Sequence, residues 1–194
     1  MIMEIILSLC IGIGLSAACG FRVFVPLFVM SIASLTGWFE PMQGFEWLAM
    51  PSVCIGLAVA TLCEVGAYYI PWVDNALDTI ATPAAMVAGT LTTMAVSTGE
   101  MSQFSGWAAA IIVGGGTATA VQMSTVAARG VSTATTGGLG NFVVATGELI
   151  SAVVLSIMAM VVPVFVAIAV LIMIVLAIRW IRIKRQENAV SPLS

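Results

Sequence analysis

The sequence predicts an all-α integral membrane protein, one polytopic domain over residues 1–194 with about six transmembrane helices. Of the 194 residues, 61% are hydrophobic and only 8% are charged. A soluble domain has about 25% charged residues, so this chain lacks the charge to cover a surface exposed to water. The mean hydropathy of +1.15 agrees. A spanning helix needs ~20 apolar residues, which leaves room for several crossings joined by short loops.

The first apolar segment, residues 5–35, is too long for one simple crossing. Gly20 and Arg22 interrupt it and Pro26 follows. Because proline and glycine weaken a continuous helix, we expect a helix to about Phe21 and then a bent or re-entrant part. Two glutamates, Glu40 and Glu46, lie in the loop that follows.

Two crossings are expected next. Residues 51–70 form the first, which carries Glu64. Its end is an aromatic belt at the membrane surface, made of Tyr68, Tyr69 and Trp72. Residues 74–78 read as a polar connector. Thr82 as N-cap, with Pro83 at the first helical position, then predicts the start of the next helix.

The second half of the chain is expected to hold three more crossings. They cover residues 106–128, residues 142–160, and a last segment that begins near Pro163 and ends at about residue 178. A small, polar, glycine-rich stretch at residues 130–141 separates the first two. Whether residues 149–178 form one kinked helix or two crossings is open, and the ~30 Å hydrocarbon core favours two.

Most of the positive charge lies near the C-terminus. Four of the six basic residues are there: Arg179, Arg182, Lys184 and Arg185. The positive-inside rule predicts a cytoplasmic C-terminus, and an even number of crossings would make the N-terminus cytoplasmic too. No basic stripe follows a soluble face, so nucleic-acid binding is not expected. Glycine-rich helix faces would permit a homodimer.

Four ionisable residues are predicted at membrane depth: Arg22, Glu64, Arg129 and Glu148. Each charge costs about 2.5–3.5 kcal/mol at the centre of a helix, so we expect arginines and glutamates to meet in the interior. Arginine presents a planar donor fork for phosphate or carboxylate. The low dielectric favours the neutral form of a glutamate, so Glu64 or Glu148 is a candidate for proton coupling. The alternative is that these residues are internal ion pairs that only fix the packing.

The two halves, residues 1–98 and 105–183, share an order of features. Each has an arginine after a helix, a glutamate within the next helix and a proline near the third. This order suggests an inverted repeat of three plus three helices, as in many secondary transporters. The spacing between arginine and glutamate differs strongly between the halves, so coincidence remains the alternative.

Two further groups of residues are candidates for ligands. The glycine-rich stretch offers hydroxyls and flexible backbone for an anion, and its candidate residues are Thr135, Thr136, Gly137, Gly138 and Asn141. Asp74 and Asp78 are weak candidates for a divalent cation, with helix capping as the simpler explanation. The chain has no histidine. No cofactor, resident metal or catalytic residue is predicted.

Four strings resemble a family of bacterial inner-membrane proteins known as a domain of unknown function. They are CGFRVFVPL at residues 19–27, YYIPWVD at 68–74, DTIATP at 78–83 and STATTGGLGN at 132–141. The resemblance covers nearly the whole chain. It implies the bacterial inner membrane as the location and supplies no activity.

The expected function is that of a small secondary transporter or translocator for an anionic substrate. The substrate would bear phosphate or carboxylate and could be a lipid, with a proton as a candidate coupling ion. Two alternatives stay open. One is a structural or assembly subunit with internal Arg–Glu pairs, and the other is a membrane-embedded enzyme that acts on lipid.

Overall fold

The fold is a bundle of helices, and the computed structural model describes residues 2–70 and 73–190, except the side chains of residues 74, 75, 178 and 180–190. No strand occurs in this described part. The α-helices are α1 (Ile2–Phe21), α2 (Phe24–Leu35), α3 (Pro51–Tyr68), α4 (Val73–Ala95), α5 (Gln103–Ala109), α6 (Gly116–Thr136), α7 (Asn141–Val161) and α8 (Pro163–Val190). A 3-10 turn, Glu46–Ala49, precedes α3, and a π-helical segment, Ala110–Gly115, joins α5 to α6.

Within the described part of the chain, four helices are long and apolar enough to cross a membrane. They are α1, α3, α7 and the continuous helix Gln103–Thr136 that α5, the π segment and α6 form together. Two shorter apolar helices are α2 and the first part of α8, Pro163–Ala177. The all-α prediction is confirmed, and the four long apolar helices indicate a membrane protein.

The break between α1 and α2 lies where the sequence predicts it. The Arg22 N–H still donates to the Ala18 carbonyl at 3.0 Å, and α2 begins two residues later. Pro26 lies in the first turn of α2, where its missing N–H costs no helical hydrogen bond. Arg22 and Val23 are both buried. The chain therefore reverses direction inside the protein rather than at its surface.

Helices α1 and α4 pack in close, antiparallel contact. Ser16 Oγ donates to the Gly89 carbonyl at 2.8 Å, and Thr93 Oγ1 donates to the Gly12 carbonyl at 3.3 Å. A Cβ built on Gly89 would lie 2.6 Å from the Cβ of Ala118 on α6. Small residues at these positions let three helices approach closely, as is common in membrane bundles.

The predicted start of a helix at Thr82–Pro83 is wrong. Helix α4 begins at Val73, so Pro83 lies inside it and the expected connector at residues 74–78 is helical. The Thr82 hydroxyl donates back to the Asp78 carbonyl, as a residue within a helix does, instead of capping a new one. The packing of α4 against α1 and α6 outweighs the local signal of the proline.

The glycine-rich stretch is also more helical than predicted. Helix α6 continues to Thr136, and the hydroxyls of Thr135 and Thr136 donate to carbonyls one turn earlier. Only residues 137–140 form a turn. Gly137 and Gly138 have φ of +64° and +93°, a backbone shape that glycine adopts without strain. The glycines end the helix, while the threonines before them extend it.

Helix α8 runs parallel to α1. A Cβ built on Gly14 would lie 2.8 Å from Val166, and further along both helices Phe21 and Ile174 line one cavity. The break that separates α7 from α8 lies at Val162, next to Pro163, as predicted. The C-terminal part of α8 is therefore at the end of the bundle where α1 turns into α2.

Candidate functional site

The centre of the candidate site is a carboxylate held by two arginines. Arg129 on α6 donates Nε to Glu148 Oε1 at 3.1 Å and Nη2 to Glu148 Oε2, so the pair is bidentate. The third nitrogen, Nη1, donates to Asp78 Oδ1 of α4 at 2.8 Å. Both side chains of the Arg129–Glu148 pair are 4% exposed. Arg129 therefore joins three helices through charge-assisted hydrogen bonds.

Arg22 approaches the same carboxylate from the turn between α1 and α2. Its Nη2 lies 3.3 Å from Glu148 Oε2 and donates to the Ala145 carbonyl at 2.9 Å. Its Nε and Nη1 are buried and have no hydrogen-bond acceptor within the described residues. Buried donors are almost always paired, so these two N–H groups mark Arg22 as an incomplete site.

Tyr68 supports both arginines. The guanidinium carbon of Arg22 lies 3.8 Å from the centre of the Tyr68 ring, and that of Arg129 lies 4.0 Å from it. Each distance permits a cation–π attraction. Tyr68 is 4% exposed, so its assignment to the aromatic belt at the membrane surface is wrong. It follows Glu64 by four residues on α3, and this one-turn spacing is the signal that could have placed it with the charges.

Glu64 has a different set of partners. Its Oε1 accepts from the Val23 N–H at 2.7 Å and its Oε2 accepts from the Phe24 N–H at 3.0 Å. These are the first N–H groups of α2, which have no partner inside that helix. A carboxylate also matches the positive end of the helix dipole. Glu64 therefore caps α2 and allows the chain to reverse in a buried position.

The cluster has an excess of acid. Among the described side chains, the cluster holds two arginines, Arg22 and Arg129, and three carboxylates, those of Glu64, Glu148 and Asp78. One negative charge is left over when all five groups are ionised. An interior with low dielectric penalises such an excess, which a bound proton or cation would remove.

A cavity of about 320 Å³ lies beside the cluster, between α6, α7 and α8. Its walls are mostly apolar, with Phe21, Val121, Val144 and Ile174 among the lining residues, and Glu148 and Thr125 also line it. Glu148 is the lining residue that also contacts the arginines. Glu148 therefore connects the lining of the cavity with the two guanidinium groups.

The structure brings together Arg22, Arg129 and Glu148, with Glu64 beside them, as the sequence suggests. The other predicted anion ligands are elsewhere. Thr135 is six residues beyond Arg129 on α6, about 9 Å along the axis, and its hydroxyl donates to a backbone carbonyl. Asn141 is buried at the start of α7, and its Nδ2 donates to Thr133 Oγ1 at 3.1 Å. The turn at residues 137–140 is thus separate from the arginines.

The acidic pair proposed for a cation, Asp74 and Asp78, stays a prediction, because only Asp78 of the two has a described side chain. Asp78 binds Arg129, and the side chain of Asp74 lies outside the described residues. No group of three or more His, Cys, Asp or Glu residues close enough to hold a metal ion occurs among the residues the structure describes. The role that the sequence missed for Asp78 is that of a partner for Arg129.

The fold and the site together define a class of protein: an apolar helical bundle with a buried cluster of arginines and carboxylates. Residues 9–183 match the family described as a domain of unknown function, DUF4126. The match covers most of the chain, so the protein belongs to that family, which confirms the resemblance. No curated protein and no solved structure matches the chain.

Proposed function

We propose that the protein is a small secondary transporter that moves an oxyanion together with a proton. The observation that carries this proposal is the placement of Glu148. Its carboxylate occupies the point where Arg22 and Arg129 converge, and it borders a cavity. An internal carboxylate in this position imitates a bound carboxylate or phosphate, the ligands that an arginine fork fits best.

The proposal couples the two ligands through one side chain. When a proton neutralises Glu148, its ion pairs with Arg22 and Arg129 weaken. The two buried guanidinium groups then lack a negatively charged partner at that position. An incoming anion supplies that partner, and the two open donors of Arg22 add hydrogen bonds to it. Proton and anion therefore favour each other's binding by linkage. When the anion leaves, Glu148 loses its proton and returns to the arginines.

The structural-subunit alternative has support from Arg129, which has an acceptor for each of its three nitrogens. A residue paired so fully fits a role in helix packing. Arg22 does not fit this role. A residue that only fixes helix packing is expected to have its buried donors paired, and two buried donors of Arg22 have no acceptor among the described residues. The cavity beside Glu148 argues the same way. The enzyme alternative has no comparable observation in its favour.

The proposed topology differs from the six crossings that the sequence suggests. Because α8 runs parallel to α1, we place the two termini on opposite sides and the basic C-terminus in the cytoplasm. Arg22 and Arg129 then lie toward the cytoplasmic side, and Glu4, Glu46 and Glu100 toward the other. The inner membrane as the location is part of this proposal. Dimer formation and the inverted repeat stay predictions, and Glu64 and Glu148 have unlike partners in the two halves.

The test is a measurement of proton uptake during anion uptake into proteoliposomes. Vesicles that contain the parent protein are loaded with pyranine, and acetate, phosphate and longer-chain anions are added outside in turn. The signal of protein-free vesicles is subtracted, because neutral carboxylic acids cross a bilayer unaided and carry protons. We expect one class of anion to be accompanied by proton movement. Glu148→Gln, which cannot exchange a proton, should still bind the anion but lose the dependence of binding on pH.

Glu64→Gln is the matched control. It removes the other buried glutamate of the cluster yet leaves Glu148 on its arginines, so anion-linked proton movement should persist. If no anion produces proton movement in the parent, or if Glu148→Gln behaves like the parent, the transporter proposal fails. Strong destabilisation by both substitutions without any flux in the parent would favour the structural subunit.

A further inference from the structure

The cavity at Glu148 is a groove open to the side of the bundle. Gly147 on α7, Ser124 on α6 and Met173 on α8 line it and are all exposed. In a bilayer this side faces lipid, so a molecule would enter the groove from the membrane rather than from water. The walls of the groove are mostly apolar, and Glu148 is the charged residue among those that line it. The groove thus has the polarity of an amphiphile with one charged end.

The charge of the cluster limits which headgroup fits. Among the described groups, the cluster has one negative charge in excess when Glu148 is ionised, and Glu148 contributes one of its three negative charges. A ligand that replaces it without making the excess larger must be a monoanion. The bidentate contact of Arg129 with Glu148 Oε1 and Oε2 has the geometry of a planar carboxylate. A phosphate monoester with two charges would add to the excess that the interior penalises.

We propose that the groove between α6, α7 and α8 binds the hydrocarbon chain of a long-chain carboxylate, whose headgroup replaces the Glu148 carboxylate on Arg129. This inference rests on the proposed function and names its substrate class. Glu148 separates the groove from the arginines until it is protonated. The chain would lie against Val121, Val144 and Ile174, and burial of its methylenes would provide most of the affinity.

The groove can be filled without touching the charges. Gly147 is a helical residue with open space where a Cβ would be, so Gly147→Leu should fold and place its side chain in the groove. Gly116→Leu is the matched control, since Gly116 is also an exposed helical glycine with open space and does not line the groove. Ser151→Leu fills the same groove from another position.

The experiment measures equilibrium binding of radiolabelled dodecanoate, propionate and dodecyl phosphate to the protein in nanodiscs of zwitterionic lipid. We expect the parent to bind dodecanoate about a hundredfold more tightly than propionate. Gly147→Leu should weaken dodecanoate about tenfold and leave propionate unchanged. Gly116→Leu should match the parent with both. Melting temperatures show that the variants fold, and Ser151→Leu replaces Gly147→Leu if that variant unfolds.

The outcomes separate this inference from the proposed function. If propionate binds as tightly as dodecanoate, or if filling the groove leaves dodecanoate unaffected, the groove is not the chain site, while anion binding at the arginines stands. If dodecyl phosphate binds better than dodecanoate, the headgroup assignment is overturned. If the parent binds neither carboxylate at any pH and shows no anion-linked proton movement, the proposed function falls as well.

Discussion

The two buried glutamates of the cluster, Glu64 and Glu148, have different partners and different roles. Glu64 accepts hydrogen bonds from two backbone N–H groups at the start of α2. Glu148 meets only side-chain cations among its described contacts, the guanidinium groups of Arg22 and Arg129. A backbone N–H has no alternative position without unfolding the helix, whereas an arginine side chain can exchange one anion for another. The difference assigns Glu64 to the architecture and Glu148 to ligand exchange.

The comparison also explains why a reversal of the chain can lie inside an apolar bundle. Unpaired backbone groups at membrane depth are tolerated only where the protein satisfies them. Glu64 supplies the acceptor for the start of α2, and Arg22 in the same turn brings a positive charge into the cluster. The charged cluster is thus partly a consequence of the buried turn, and Glu148 is the carboxylate that this requirement does not explain.

The largest expected effect comes from Arg129→Ala. It leaves the buried carboxylate of Glu148 without its bidentate partner and removes one ion pair of Asp78, and breaking a buried ion pair costs about 3–5 kcal/mol. The free energy of unfolding, measured in mixed micelles, should fall by about that amount. Arg179→Ala, which removes an exposed arginine from α8, should change it by less than about 0.5 kcal/mol. Equal effects of the two substitutions would mean that the cluster does not hold the helices together.

A smaller effect is expected at Glu64 and depends on the replacement. Glu64→Gln keeps an oxygen for one of the two N–H groups and should lower the free energy of unfolding by about 1 kcal/mol. Glu64→Ala leaves both donors without an acceptor and should lower it by about 2–4 kcal/mol. Unfolding in mixed micelles again gives the measurement. If alanine and glutamine cost the same, the backbone contacts of Glu64 are not what it contributes.

The sequence predicted the meeting of the charges better than the roles of the individual residues. Arg22, Glu64, Arg129 and Glu148 were expected in one interior cluster because isolated charges at membrane depth are costly. Tyr68 and Asp78 were missed, since both also fit a surface position near the end of a helix. The unlike partners of Glu64 and Glu148 could not be predicted either, because they depend on where α2 begins in space rather than on local sequence.

The two incorrect predictions about helix boundaries have a common physical cause. The sequence predicts a helix start at Thr82–Pro83, because threonine followed by proline is typical of a helix N-terminus, and a non-helical stretch at 130–141, because glycine weakens a helix. In the bundle, contacts with α1 and α6 hold α4 together across Pro83, and threonine hydroxyls satisfy carbonyls at the end of α6. By contrast, the breaks at Phe21 and Pro163 were predicted correctly, because there the packing and the local signal agree.

The smallest expected effect concerns a third glutamate, which lies outside the membrane-spanning helices. Glu46 resembles Glu64 in accepting backbone N–H, since both of its oxygens lie 2.9 Å from the Gly44 nitrogen, but it is exposed to solvent. This contact favours the charged form and lowers the pKa of Glu46 below its usual value of 4.5. Because the pKa of Glu46 is lower in the folded state, its charged form adds a small amount to the free energy of unfolding, and this stabilisation is fully present at pH values above the ordinary pKa. The contribution is lost as the pH falls through the lowered one.

Carbon-detected NMR of the Glu46 carboxyl in micelles would follow this titration. We expect its midpoint below the usual value of 4.5. Gly44→Pro removes the donated N–H and also opens the turn, since proline cannot adopt the φ of +94° at Gly44, so the Glu46 midpoint should return toward the ordinary value. A midpoint that Gly44→Pro leaves unchanged would show that a backbone N–H does not by itself hold a carboxylate in its charged form at an exposed position. The N–H contacts of Glu64 would then owe their effect to burial, as the contrast between the two sites implies.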